Sequence, residues 1–142
     1  MAGIAFYFED YDRDVYSGRR IDFDAWRYAA LAAGDIDRML VVNRTEEALP
    51  NPGGNIKLTE VDELPELDNA VYMATPWDTE SEALWHFDHD VDWYVFGPAA
   101  GWAGQVPGRA VHIPQNGLAA FHSIHIASVV MMDRYRRVSW EQ

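Results

Sequence analysis

Apolar residues in this chain fall into short, nearly continuous runs, separated by acidic or Gly/Pro-rich stretches. GIAFYF (3–8), RMLVVN (38–43), AVYMATP (70–76), DWYVFGP (92–98) and RAVHIP (109–114) are too short for helices and too uniformly apolar for half-exposed strands, so each predicts a buried strand. IKLTEV (56–61) predicts a further brief strand. DFDAWRYAALAAG (22–34) predicts a helix with Asp22 or Asp24 as N-cap, a face of Trp26, Ala29, Ala30 and Ala33, and Gly34 as the stop. DTESEALWHF (78–87) predicts an Asp-capped helix, and residues 121–138 a long apolar one. Strands alternating with helices predict an α/β fold, a mostly parallel sheet with helices on both faces.

At 142 residues the chain is expected to form one domain, 1–142, so any site belongs to this layer system or to a subunit interface. It contains no cysteine, which rules out disulfides, thiolate metal sites and a cysteine nucleophile. The start shows no basic segment followed by a long apolar one, and no 18 apolar residues run together, so a cytoplasmic protein without membrane contact is expected. The formal charge of -12, from 23 acidic and 11 basic residues, opposes avid binding to phosphate, and no DNA partner is expected. Two basic clusters, Arg19-Arg20 and Arg134, Arg136 and Arg137, are positioned to meet in the fold or across a dimer; as isolated features they read as solvated surface arginines.

Three constellations carry possible chemistry. WHFDHDVD sets His86 and His89 three apart among Asp88, Asp90 and Asp92, a spacing that suits a divalent metal, but it reads first as an acidic helix end and turn, and no metal site is assigned. EDYDRD (9–14) resembles part of a calcium loop but lacks its glycine and final glutamate. Trp77 and Trp102 are suited to stacking on bases, although packing is the commoner use. In parallel sheets ligands sit beyond the carboxyl ends of the strands, and two predicted strands end in Gly/Pro loops there: Gly97-Pro98 with Gly101, and Pro114 with Gly117.

In order, YVFGPAAG and HIPQNGLAAFHSIHIASVVMMDRYRR resemble the last two motifs of the SPOUT methyltransferases, in the SpoU/TrmH-like branch. Setting Ile113-Pro114 on the third motif aligns Gly117, Ala127 and Asp133 without a gap, and the first-motif arginine falls on Arg27. The resemblance implies a C-terminal trefoil knot, a homodimer, and S-adenosylmethionine held in the knot loops largely by backbone groups. The residues around the cofactor would be Phe96, Gly97, Gly101, Ile113, Gln115, Gly117 and His122. The implied reaction is 2'-O-ribose methylation of RNA, with tRNA among the candidates. Arg27 would contact a phosphate near the target ribose, and His122, Ser123 and His125 would stand at the mouth of the pocket, where an imidazole can take up a proton. The chain departs from the family at Ala99, where it has glutamate, at Phe121, His122 and Ser123, where it has serine, leucine and asparagine, and near Ile21, where it has asparagine. These departures leave a second expectation open: a non-catalytic SPOUT-fold homodimer that binds a ligand or a protein partner.

Overall fold

The computed structural model describes residues 1–7, 19–42, 52–74, 80–97, 102, 106–114 and 123–140. Its strands are β1 (Ala2–Tyr7), β2 (Ile36–Val42), β3 (Lys57–Val61), β4 (Ala70–Met73), β5 (Glu82–Ala83), β6 (Trp93–Phe96) and β7 (Ala110–His112), and its α-helices are α1 (Arg19–Ala33) and α2 (Ser123–Arg134). All seven strands join one parallel sheet in the order β3-β2-β1-β6-β4-β7-β5. The chain therefore winds outward from β1 through β2 to β3, then crosses to the other side of β6 to lay down β4. That reversal puts a switch point at the carboxyl ends of β1, β6 and β4, where a parallel sheet opens a crevice.

Alternation along the strands sorts side chains onto two faces. Ile4, Phe6, Met39, Val41, Val71, Met73, Tyr94, Phe96 and Val111 point to one face, where they meet Phe23, Trp26, Ala29, Ala30 and Ala33 of α1 and Ala127, Val130 and Met131 of α2. Trp26 lies flat on Phe6, with ring centroids 4.1 Å apart. The opposite face carries Ala5, Leu40, Tyr72 and Val95, covered by Leu64, Leu67, Trp102 and Val106 from connecting segments. Among the described residues both helices thus lie on the same face.

Most strands fall within a few residues of expectation, but three details differ. Helix α1 begins at Arg19, so Asp22 and Asp24 lie inside it and neither is its N-cap. It stops as expected at Gly34, whose φ of 83° is open to glycine at little cost. The helix expected over 78–87 is not formed in its described part. Glu82–Ala83 pair with β7 instead, and a single 3₁₀ turn, Leu84–His86, follows. The last helix is regular over Ser123–Arg134 and widens into a π-helical turn over Tyr135–Trp140. No described helix is long and apolar enough to cross a membrane.

Candidate functional site

The carboxyl ends of β6 and β7 lie on either side of β4, so the two Gly/Pro loops leave the sheet one strand apart. Phe96 ends β6 and Ile113 directly follows β7, but their side chains are buried in the core beneath the helices. What they offer at the edge is backbone. Gly97 follows Phe96, and a Cβ placed there would stand 2.6 Å from the Trp102 ring. Trp102 closes over this spot: its indole N–H donates to the Met73 carbonyl at 2.9 Å, and its ring meets Tyr72 and Tyr7 edge-on at 5.8 and 6.2 Å. Trp102 is therefore a packing residue, and Gly97 is required for its approach.

Arg27 lies one residue beyond Trp26, which touches both Phe6 and Phe96, so α1 carries it to the level of the strand ends. Its guanidinium is 3.6 Å from Asp24, rests on the Tyr28 ring at 4.8 Å and approaches Gly53. Among the described residues the buried Arg27 Nε has no hydrogen-bond partner. His125 is exposed on α2. Gly101, Gln115, Gly117 and His122, like Trp77 and EDYDRD, lie outside the described residues, and Ser123 is described only as the first residue of α2. A residue that pattern reasoning passed over, His112, ends β7 with its Nδ1 2.8 Å from Ser81 Oγ.

The opposite, amino edge of the sheet holds a dense polar cluster. His89, expected in an acidic turn, is buried there with a left-handed φ of 59°. Its Nδ1 is 2.7 Å from Tyr94 Oη and its Nε2 is 2.6 Å from Asp133 Oδ2. Arg134 donates to Tyr94 Oη at 2.9 Å and to the His89 carbonyl at 3.1 Å, and grips Asp35 with two nitrogens at 2.9 and 2.6 Å. Arg137 donates to Asp133 Oδ2 and to the carbonyls of Leu84 and Phe87. One assignment of hydrogens satisfies every member. Arg134 donates to Tyr94, Tyr94 donates to His89 Nδ1, and His89 Nε2–H donates to Asp133. The imidazole is neutral in that chain.

Burial pushes the His89 pKa below its usual range, and Arg137 and Arg134 push the same way against Asp133. Burial also raises Tyr94 to about 12, keeping its proton available for donation. Asp35 is held below the usual carboxylate range by its bond to Arg134. Asp133 and Ala127, aligned above with an acidic residue and an alanine of the third motif, thus have structural work: one anchors this network and the other lies in the core. His86 is exposed and His89 is committed, and among the described residues no group of three or more His, Cys, Asp or Glu side chains is placed to hold a metal.

The outer side of α2 forms an open groove with Trp85, Val129, Met132, Tyr135, Arg136 and Trp140 on its walls. Trp85 is 50% exposed, Met132 53% and Trp140 71%, more apolar surface than a lone helix normally shows to water.

The sequence matches no family model and no curated protein. The fold does match solved structures. A protein described for 2-OH methylation of C/U34 on tRNA superposes with a TM-score of 0.60 at 18% identity, covering 99% of this chain and 97% of that one. An RNA 2'-O ribose methyltransferase gives 0.63 at 16% identity over 96% of this chain and 56% of its own. The SpoU methyltransferase AviRb from Streptomyces viridochromogenes gives 0.64 at 13%, over 99% and 61%.

Proposed function

We propose, from a fold shared with SpoU/TrmH RNA methyltransferases, that this chain transfers a methyl group from S-adenosylmethionine to a ribose 2'-hydroxyl of RNA, tRNA being the first candidate. The observation that carries this is end-to-end structural agreement with the tRNA 2-OH methylation protein, which spans nearly all of both chains. S-adenosylmethionine, when bound, supplies the methyl group as an electrophile. The chain's own part is to position and to exclude water. Backbone at Gly97, Ile113 and Pro114 would hold the cofactor, with Gly101, Gln115, Gly117 and His122 completing the loops. Arg27 would hold a phosphate beside the target ribose, and Ser123 and His125 would face the acceptor from α2.

The same reading includes a trefoil knot, with the loops after Phe96 and Pro114 facing each other, and a cytoplasmic homodimer that meets through the apolar groove on α2. The net charge of -12 repels RNA, and a homodimer would carry twice that charge. That same charge, with Ala99, Phe121 and Ser123, favours a second reading, a non-catalytic dimer that retains the fold and binds a ligand or protein.

Calorimetry with S-adenosylmethionine and S-adenosylhomocysteine separates the two. The methyl-transfer reading expects measurable binding that is abolished by a bulky residue at Gly97 or Gly117. Absence of binding to either molecule at millimolar concentration, roughly -4 kcal/mol, would leave the non-catalytic reading.

A further inference from the structure

One histidine at the carboxyl edge is anchored through a single nitrogen. His112 Nδ1 is bound to Ser81, and among the described residues its Nε2 has no hydrogen-bond partner. The strand register fixes where it stands. Tyr72 on β4 lies opposite Val95 on β6 and Ala110 on β7, and Ala74 N–H donates to the Val111 carbonyl at 2.7 Å, so pairing continues past Met73. Two residues on, Gly97, Ala74 and His112 form one row across three adjacent strands, and side chains in such a row share a face. Strands are about 4.8 Å apart, so the Cα atoms of Gly97 and His112 are separated by about 10 Å. His112 thus borders the edge from which both Gly/Pro loops depart, on the face of the sheet opposite α1 and α2, and Ile113 follows it directly.

The other described candidates for proton uptake are less well placed. His89 is locked into the network at the far edge, and His86 stands exposed on the 3₁₀ turn. His125 is exposed on α2, a helix on the opposite face of the sheet. Arg27 has no lone pair to offer.

We propose that His112, oriented by Ser81, accepts the proton of the acceptor hydroxyl, an inference that rests on the methyl-transfer reading above. As the hydroxyl oxygen bonds to the methyl carbon, the carbon–sulfur bond breaks and its electron pair stays on sulfur, turning the sulfonium into a thioether. The hydroxyl proton passes to His112 Nε2 and leaves its bonding pair on oxygen. This requires that Nδ1 carry a hydrogen and donate it to Ser81 Oγ, which keeps the Nε2 lone pair free. Ser81 is a positioning residue: it sets the tautomer and the ring plane.

Nitrogen NMR of the full chain reads the tautomer directly. The expected result is a hydrogen on Nδ1, with the ring resonances moving when S-adenosylhomocysteine is added. In single-turnover methylation of tRNA, His112→Asn is expected to lower the rate about 100-fold or more while S-adenosylhomocysteine affinity is unchanged. Ser81→Ala should shift the tautomer and lower kcat without raising KM, and Ser81→Thr should restore both. Wild-type protein that binds no S-adenosylhomocysteine overturns the methyl-transfer reading itself. Wild-type protein that binds it, yet carries its hydrogen on Nε2 or tolerates His112→Asn at full rate, overturns only the role of His112.

Discussion

His89 is buried as a neutral ring, and the pH response of the fold follows from that. Its native pKa lies below the ordinary value of 6.5, so between the two the unfolded chain binds a proton that the native state refuses. Its contribution is complete above about pH 6.5 and is lost as the pH falls toward the native value. Urea midpoints measured from pH 8 to 5 should therefore decline below neutrality, and His89→Gln should flatten that decline while lowering stability throughout. Asp35 adds a separate loss at lower pH, since its native pKa is depressed and its bond to Arg134 fails when it is protonated. The second residue-scale case is Gly97. Alanine there meets the Trp102 ring at 2.6 Å, and the ring is also tied to Met73, so the ring or the strand end must shift. Gly97→Ala should cost about 1–3 kcal/mol and release the Trp102 indole hydrogen to exchange.

At the scale of elements, what the chain's patterning revealed was what local composition controls. The strands and α1 show in the sequence because continuous apolar runs and an aromatic and alanine stripe have few other uses. The failure over 78–87 has a distant cause. Leu84 and Phe87 are spaced as a helix face would be, but the carbonyls of Leu84, Trp85 and Phe87 are engaged by Arg137, which lies 50 or more residues away. No neighbouring residue announces such a partner. Arg137→Ala should remove the side-chain donor from those carbonyls, leaving Leu84 only the Phe87 N–H, and raise amide exchange across residues 84–87, with a smaller effect in β1 and β2. The site divides the same way. Its Gly/Pro loops were legible as strand ends, whereas Trp102 over Gly97 and His112 beside Ser81 exist only through strand order and register.

For the whole molecule, the apolar outer side of α2 is the feature that bears on assembly. Met132 and Trp140 are exposed, yet the helix beneath them is fixed by the Arg134–Asp35 ion pair and the buried His89–Asp133 hydrogen bond, so the surface can be changed without undoing the core. Met132→Asp should leave the unfolding midpoint nearly unchanged and, if the proposed homodimer meets here, halve the mass seen by light scattering at micromolar concentration. A wild-type monomer in that experiment would remove any site shared between subunits.

The network joining Asp35, His89, Tyr94, Asp133 and Arg134 sits at the amino edge, and the Gly/Pro loops leave from the carboxyl edge. Anchorage and the proposed chemistry thereby fall on opposite rims of one sheet. Residues at the carboxyl edge can change without loosening the clamp that fixes α2, so a chain of this build can alter what it binds there and still inherit the same scaffold.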